Sequence, residues 1–403
     1  MRAADTPTTS PLAGELLRQF GSPLYVYDAD VVRAMYARFV GAFDYQPLHI
    51  HYAIVCNKNR YLVRLLAGLG AGIHANTPGD AFAALAAGVP ADRIVYSGTN
   101  LDEQDFRFLL DRGIRMNLDS LDQLRDRARL GRATDRTDIG MRFLIDDEDR
   151  PNRIGITRGE LPEAIAIANA AELRITGLHM YAGTNTRRAG RFVECMERLV
   201  EAATQLPDLA WIDIGGGFGV AYDDDEPELE LEQLGREVSA RMRTLSEARG
   251  PIELIVEPGR YLVGTAGSLL TTVVSVKSHG GRRYIGVDTT VGNIVVPSVY
   301  HTRHRIELVA EAAPVLDAPT DVCGNTTHSR DYLGRNVRLP AVVPGDVLRL
   351  RDVGAYGYAM SSHFLNRPRP AEVVVDGAGV HLTTRRETFA DLVATQVDAQ
   401  GDR

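Results

Sequence analysis

Two short runs in this 403-residue chain hold residue types suited to gripping an anion. In Asp213-Ile214-Gly215-Gly216-Gly217-Phe218-Gly219, three consecutive glycines follow an apolar stretch. Glycine reaches positive φ without a steric penalty, so successive backbone N–H groups can converge on a phosphate. The bland alternative is a tight turn. Val256-Glu257-Pro258-Gly259-Arg260 follows the next apolar stretch, and its guanidinium offers a second phosphate ligand, while Glu257 alone reads equally as a solvated loop carboxylate. Histidine supplies acid–base candidates at His74, His179 and His328. Brought together, they would move protons or bind a metal. None shows the i, i+4 ligand spacing of a helical metal site, and no metal is assigned. Lysine occurs only at Lys58 and Lys277, which limits any amine-based covalent chemistry to those two positions.

Such residues need a scaffold that brings distant loops to one place. Residues 49–55, 72–76, 93–97, 115–118, 138–144, 174–181, 210–214 and 253–256 read as strands. Amphipathic helical patterns over 62–69, 78–87, 103–111, 121–130, 161–170, 191–205 and 229–249 separate them. Eight strands alternating with helices predict a (β/α)8 TIM barrel, and a doubly wound open sheet is the competing fold. The glycine run and the Glu-Pro-Gly-Arg run then follow the seventh and eighth strands, at the C-terminal mouth where barrel sites are built. After residue 259, strands at 268–277, 283–288, 306–310, 347–351, 372–376 and 380–384 have no helices between them and predict a second, all-β domain. A strand at 24–27 is expected to join it, the polar arm 1–10 to be loose, and 397–403 to form a flexible tail.

With 44% hydrophobic and 24% charged residues, the composition is that of a globular chain of about two domains. A net charge of −8 disfavours nucleic acid and anionic membranes as partners. No apolar run has membrane-spanning length, and no signal-peptide core is visible. Three scattered cysteines fit a cytoplasmic protein better than a disulfide framework.

The motifs, in order, resemble the fold-type III pyridoxal-phosphate decarboxylases, the ornithine/diaminopimelate/arginine decarboxylase group. Pro23-Leu24-Tyr25-Val26-Tyr27 is similar to the family's opening strand, Tyr52-Ala53-Ile54-Val55-Cys56-Asn57 to its Tyr-Ala-x-Lys-x-Asn strand, and Asn152-Arg153-Ile154-Gly155-Ile156 to a short basic–aromatic–glycine segment. Gly215–Gly217 and Glu257-Pro258-Gly259-Arg260 match unchanged, and Gly354-Ala355-Tyr356-Gly357 and Asn366-Arg367-Pro368-Arg369-Pro370 follow as expected. The resemblance implies an alanine-racemase-like barrel over 29–263 with a cofactor-phosphate site, and a β-domain formed by 1–28 and 264–396. It also implies pyridoxal 5'-phosphate as cofactor and a head-to-tail homodimer with shared active sites. By position, Gly215, Gly216, Gly217, Gly259 and Arg260 would hold the phosphate, Glu257 the pyridine nitrogen, and Tyr356 a phosphate or substrate hydrogen bond.

The positions at the reacting centre depart from that pattern. Val55 stands where the family's Schiff-base lysine belongs, Tyr181 where a histidine stacks on the ring, and His74 where an aspartate is frequent. Val296 stands at a substrate-binding arginine of diaminopimelate-type members, Thr327 at a proton-donating cysteine and His328 at the acid after it. The resemblance carries Thr327 and His328 into the neighbouring subunit's site. The expectation is an enzyme that takes an amino acid or amine-bearing metabolite and holds the cofactor noncovalently. His328, Thr327, Tyr181, His179 and His74 are its proton-moving candidates. A pyridoxal-phosphate-independent enzyme using the same anion site, and a non-catalytic ligand-binding homologue, are the alternatives.

Overall fold

The computed structural model describes residues 10–131, 137–145, 153–223, 225–310 and 313–397. Most of the expected arm, Asn152 and the tail beyond Val397 lie outside them. The described residues divide into two compact units. One is drawn from Met1–Val32, Tyr222–Glu226 and Val263–Arg403, the other from Arg33–Ala221 and Pro227–Leu262.

The first unit is built on a sheet that includes β1 (Leu24–Asp28). The second is a closed barrel of eight parallel strands: β2 (Leu48–Ala53), β3 (Gly72–Ala75), β4 (Ile94–Tyr96), β5 (Arg115–Leu118), β6 (Asp138–Arg142), β7 (Arg174–His179), β8 (Trp211–Asp213) and β9 (Glu253–Val256). Pairing of Leu48 with Leu254 and Ile50 with Val256 closes the ring between β2 and β9. The doubly wound alternative is thereby excluded. Helices start where side chains can cap them: Thr77, Asp102 and Ser120 each accept a hydrogen bond from the third residue on. The helix Ala189–Ala203 turns Phe192, Cys195, Met196 and Leu199 inward, and Phe192 stacks on Phe218 with ring centroids 4.6 Å apart.

Two glycines make room inside the barrel for larger neighbours. A Cβ on Gly177 would lie 1.8 Å from the Trp211 ring, and one on Gly140 would lie 1.9 Å from Asn117 Oδ1.

In the first unit the strands continue with β10 (Gly267–His279), β11 (Arg282–Val287), β12 (Ile306–Leu308), β13 (Thr320–Cys323), β14 (Tyr332–Gly334), β15 (Val347–Arg351), β16 (Ala371–Asp376) and β17 (Gly379–Thr384). Their order is β14-β13-β11-β10-β1-β16-β17, with β15 pairing β10 and β12. β1 runs antiparallel to β10 and parallel to β16, so the N-terminal strand is central to this sheet. The helix Ser10–Phe20 covers it, packing Ala13 and Leu16 against Leu24, Val26, Leu270 and Val373. Ser10 therefore begins a helix rather than ending a loose arm. β13 and β14, of four and three residues, escape sequence reading because so short a run shows no period. A five-residue helix, Val296–Tyr300, also interrupts the expected all-β texture. None of the three cysteines is joined in a disulfide among the described residues. No helix among the described residues is long and apolar enough to cross a membrane.

Candidate active site

The strand expected over 49–55 ends at Ala53, and Ile54–Cys56 form a 3-10 turn. The cause is local. Asn57 N–H donates back to Ile54 O, the Tyr52 hydroxyl donates to Asn57 O, and Ala53 N–H donates to Pro258 O. Val55 consequently stands on a turn, 40% exposed, rather than on an extended strand. Lys58 is exposed, next to Asn59, which caps the helix Arg60–Gly68.

Below this turn, five barrel strands deliver polar groups to one buried point. His74 comes from β3, Arg142 from the last residue of β6, His179 from the last residue of β7, Asp213 from the last of β8, and Glu257 directly follows β9. His74 Nε2 lies 3.4 Å from Glu257 Oε1, and His179 Nε2 lies 3.4 Å from Glu257 Oε2. Neither contact is aligned as a hydrogen bond, and Glu257 Oε1 and both nitrogens of each imidazole lack partners among the described residues. Asp213 is better held. Its Oδ1 accepts from Gly215 N–H at 2.9 Å and its Oδ2 from Asn117 Nδ2 at 3.2 Å, and that same amide nitrogen donates to Ser97.

Burial sets the charges. It pushes Glu257 up to about 7, against the lowering influence of Asp213 and Arg142. Asp213 is raised well above the carboxylate range by burial and by the charge of Glu257. Burial also lowers His179 to about 4, and carries His74 well below its ordinary value with help from His179 and Arg142. Near neutral pH both imidazoles are thus uncharged, the two carboxylates retain a proton between them, and Arg142 faces the remaining negative charge. His179, Asp213 and Glu257 also bring three ligand-type atoms within 4.8 Å of one another. A divalent ion there would meet the buried Arg142 guanidinium, so the cluster reads better as a proton-sharing site.

The glycine run borders this floor. Gly215 and Gly217 have φ of +66° and +96°. Added Cβ atoms would meet Met180 O at 2.0 Å from Gly215, Glu257 O at 2.6 Å from Gly216 and Gly183 O at 2.1 Å from Gly217. Close backbone packing alone therefore demands glycine at all three. The N–H groups of Gly216 and Gly217 make no backbone hydrogen bond among the described residues. Gly259 packs on the turn that carries Val55, where a Cβ would lie 3.0 Å from Ala53 and 3.1 Å from Cys56. Arg260 begins the next short helical segment. Tyr181 is half-buried beside Gly217, its hydroxyl 2.8 Å from Thr184 Oγ1 and its ring 5.8 Å from the Arg142 guanidinium.

His74, His179, Tyr181, Gly215–Gly217 and Glu257 thus come together, whereas Thr327, His328 and Tyr356 belong to the other unit. There Asp331 accepts from Val291 N–H, Thr326 N–H and the Thr290 hydroxyl, which shapes the loop bearing Thr327 and His328. His328 makes an edge contact with Phe364 at 5.3 Å. Tyr356 sits in the left-handed region at φ +62°. Arg142, Asn117 and the holding role of Asp213 went unread in the sequence. Asn117 and Arg142 each share a strand with a charged residue, Arg115 and Asp138 respectively, so polarity alone does not single them out.

A profile of the pyridoxal-dependent decarboxylase, pyridoxal binding domain, matches residues 29–264. The chain is 34% identical over 404 residues to a diaminopimelate decarboxylase of Methanothermobacter thermautotrophicus, covering 95% of this chain and 94% of that one. It is 31% identical over 402 residues to that of Aquifex aeolicus, at 95% and 94% coverage. The crystal structure of diaminopimelate decarboxylase from M. jannaschii in complex with L-lysine superposes with a TM-score of 0.90 at 27% identity, covering 96% and 94% of the two chains. A profile spanning more than half the chain and relatives that match it almost end to end leave one assignment: this chain belongs to the pyridoxal-dependent decarboxylase family.

Proposed function

We propose that the chain is a decarboxylase acting on an amino acid, and that it holds pyridoxal 5'-phosphate without a covalent bond to the protein. The observation that carries this reading is Glu257. It is a carboxylate 2% exposed, with one oxygen lacking a partner among the described residues, at the end of a barrel strand beside the glycine run. A buried carboxylate in that condition is costly unless a ligand completes it. A ring nitrogen that can carry a proton would complete Oε1, and the N–H groups of Gly216 and Gly217, with Arg260, would hold the phosphate. When bound, the cofactor supplies an electron sink for the carbanion left by carbon dioxide loss.

The remaining steps fall to the chain's own side chains. Glu257 keeps the ring nitrogen protonated, Arg142 limits the negative charge on the floor, and Tyr181 offers a ring and a hydroxyl at its edge. Val55 has no amine, so no side chain at this position would tether the cofactor. His328 and Thr327 are the proposed proton donors, through a second copy of the chain. With Val296 in place of an arginine, the proposed substrate is an amino acid other than diaminopimelate.

The test is retention. Protein incubated with pyridoxal phosphate and passed through gel filtration should keep a visible absorbance band, and Glu257→Gln should lose it. A wild-type protein emerging colourless would end this reading.

A further inference from the structure

His74 and His179 are side chains of the floor that the proposed chemistry leaves without a task. His74 is buried, carries no charge near neutrality, and neither of its ring nitrogens has a hydrogen-bond partner among the described residues. An imidazole in that condition asks for an explanation, because buried polar atoms are nearly always satisfied. Its close polar neighbour is Glu257 Oε1 at 3.4 Å, through Nε2.

We infer that His74 is a positioning residue for Glu257: its Nε2, 3.4 Å from Oε1, needs only a small rotation of the ring or carboxylate to become a donor that favours the ionised form a protonated ring nitrogen requires. The inference rests on the cofactor reading above.

Geometry separates His74 from the other groups facing Glu257. Asp213 from β8 is fixed by Gly215 N–H and Asn117, and shares the carboxylate proton. His179 from β7 faces Oε2, and one of its ring nitrogens lies within 4.8 Å of an Asp213 oxygen. Arg142 from β6 supplies positive charge, with its Nε unpartnered among the described residues. His74 from β3 stands alone at Oε1. It is held there by the register that pairs it with Ala53, the last residue of β2 before the turn bearing Val55. The same backbone therefore fixes both the donor on the carboxylate and the position that lacks an amine.

A donor on a carboxylate lowers its pKa, so loss of the Nε2 donor raises that of Glu257. One pH unit corresponds to tenfold in affinity for a ligand that needs the ionised form. Three variants of the full-length chain isolate the atom. His74→Gln can return an N–H near the Nε2 position, His74→Asn can return one only near Nδ1, and His74→Phe returns none.

The experiment measures pyridoxal phosphate affinity from pH 5.5 to 8.5, together with thermal unfolding of the ligand-free proteins over the same range. The Phe and Asn variants are expected to bind about fivefold more weakly at pH 7 and about tenfold more weakly at pH 5.5, with the rise of affinity moved up by about one pH unit. The Gln variant is expected to remain within about threefold of wild type. Equal binding by wild type and Phe, or equal behaviour of Gln and Asn, overturns the inference. So does stoichiometric metal in the isolated protein. If wild type binds no cofactor, the parent reading falls and the ligand-free arm decides alone. The decline of unfolding temperature with rising pH must then extend to higher pH in Phe and Asn but not in Gln, and its failure to do so overturns the assignment.

Discussion

At the scale of single residues, the site is a problem of charge in a space that water does not reach. Glu257 is worth most to the ligand and least to the empty fold. Its folded-state pKa of about 7 lies above the ordinary 4.5, so between those values the folded protein holds a proton that the unfolded chain releases. Stability from this group is therefore present in full below about pH 4.5 and is lost as pH rises through 7. His179, lowered to about 4, acts with the opposite slope: burying it neutral costs stability at acid pH, and that cost fades as pH rises from about 4 towards 6.5. Glu257→Gln removes only the first effect. The variant should be more stable than wild type at pH 8 by on the order of 2 kcal/mol, with the gap closing towards pH 4.5. Denaturant unfolding of the ligand-free proteins checks this, and a gap independent of pH would mean Glu257 is not the titrating group. Little of this was visible beforehand. The sequence marks Glu257 through its Pro-Gly-Arg neighbours, but whether a carboxylate is buried, and beside what, is decided by five strands far apart in the chain.

At the scale of elements, the barrel was legible and its edges were not. Eight apolar runs alternating with capped amphipathic helices have few architectural solutions. The exit of β2 was misread because β-branched Ile54 and Val55 favour a strand by propensity, whereas Tyr52, Asn57 and Pro258 tie that segment into a turn. Asn117 and Arg142 were missed for a related reason. Barrel strands buried on both faces lack the polar–apolar alternation that would mark an inward-facing position. Their glycines are equally informative once the fold is known. Gly177→Ala would drive a methyl group into Trp211 and is expected to destabilise by about 3 kcal/mol. Trp211→Leu in the same chain should recover part of that loss, because the two changes share one space. Additive losses in a double-mutant cycle would show that the crowding is relieved elsewhere.

At the scale of the whole molecule, family membership was legible across the chain from ordered motifs rather than from any one of them. The departures at Val55, His74, Tyr181, Val296, Thr327 and His328 were equally legible, but their consequences were not, because they depend on geometry within each unit. Thr327 and His328 lie outside the barrel unit that holds Glu257, and the proposed role for them draws on a second copy of the chain. That proposal predicts complementation. Mixed Glu257→Gln and His328→Ala proteins should regain turnover that neither has alone. Failure to regain it under conditions where subunits exchange would confine the chemistry to a single chain.

The account turns on a cofactor held by ionic and hydrogen-bonding groups with no lysine beneath it. Native mass spectrometry of the pyridoxal-phosphate-loaded protein, repeated after borohydride reduction and acid denaturation, tests this most directly. A cofactor held noncovalently gives a bound mass that vanishes on denaturation with or without reduction. A mass that survives reduction and maps to the peptide containing Lys58 would contradict it, as would a protein that carries no cofactor mass at all.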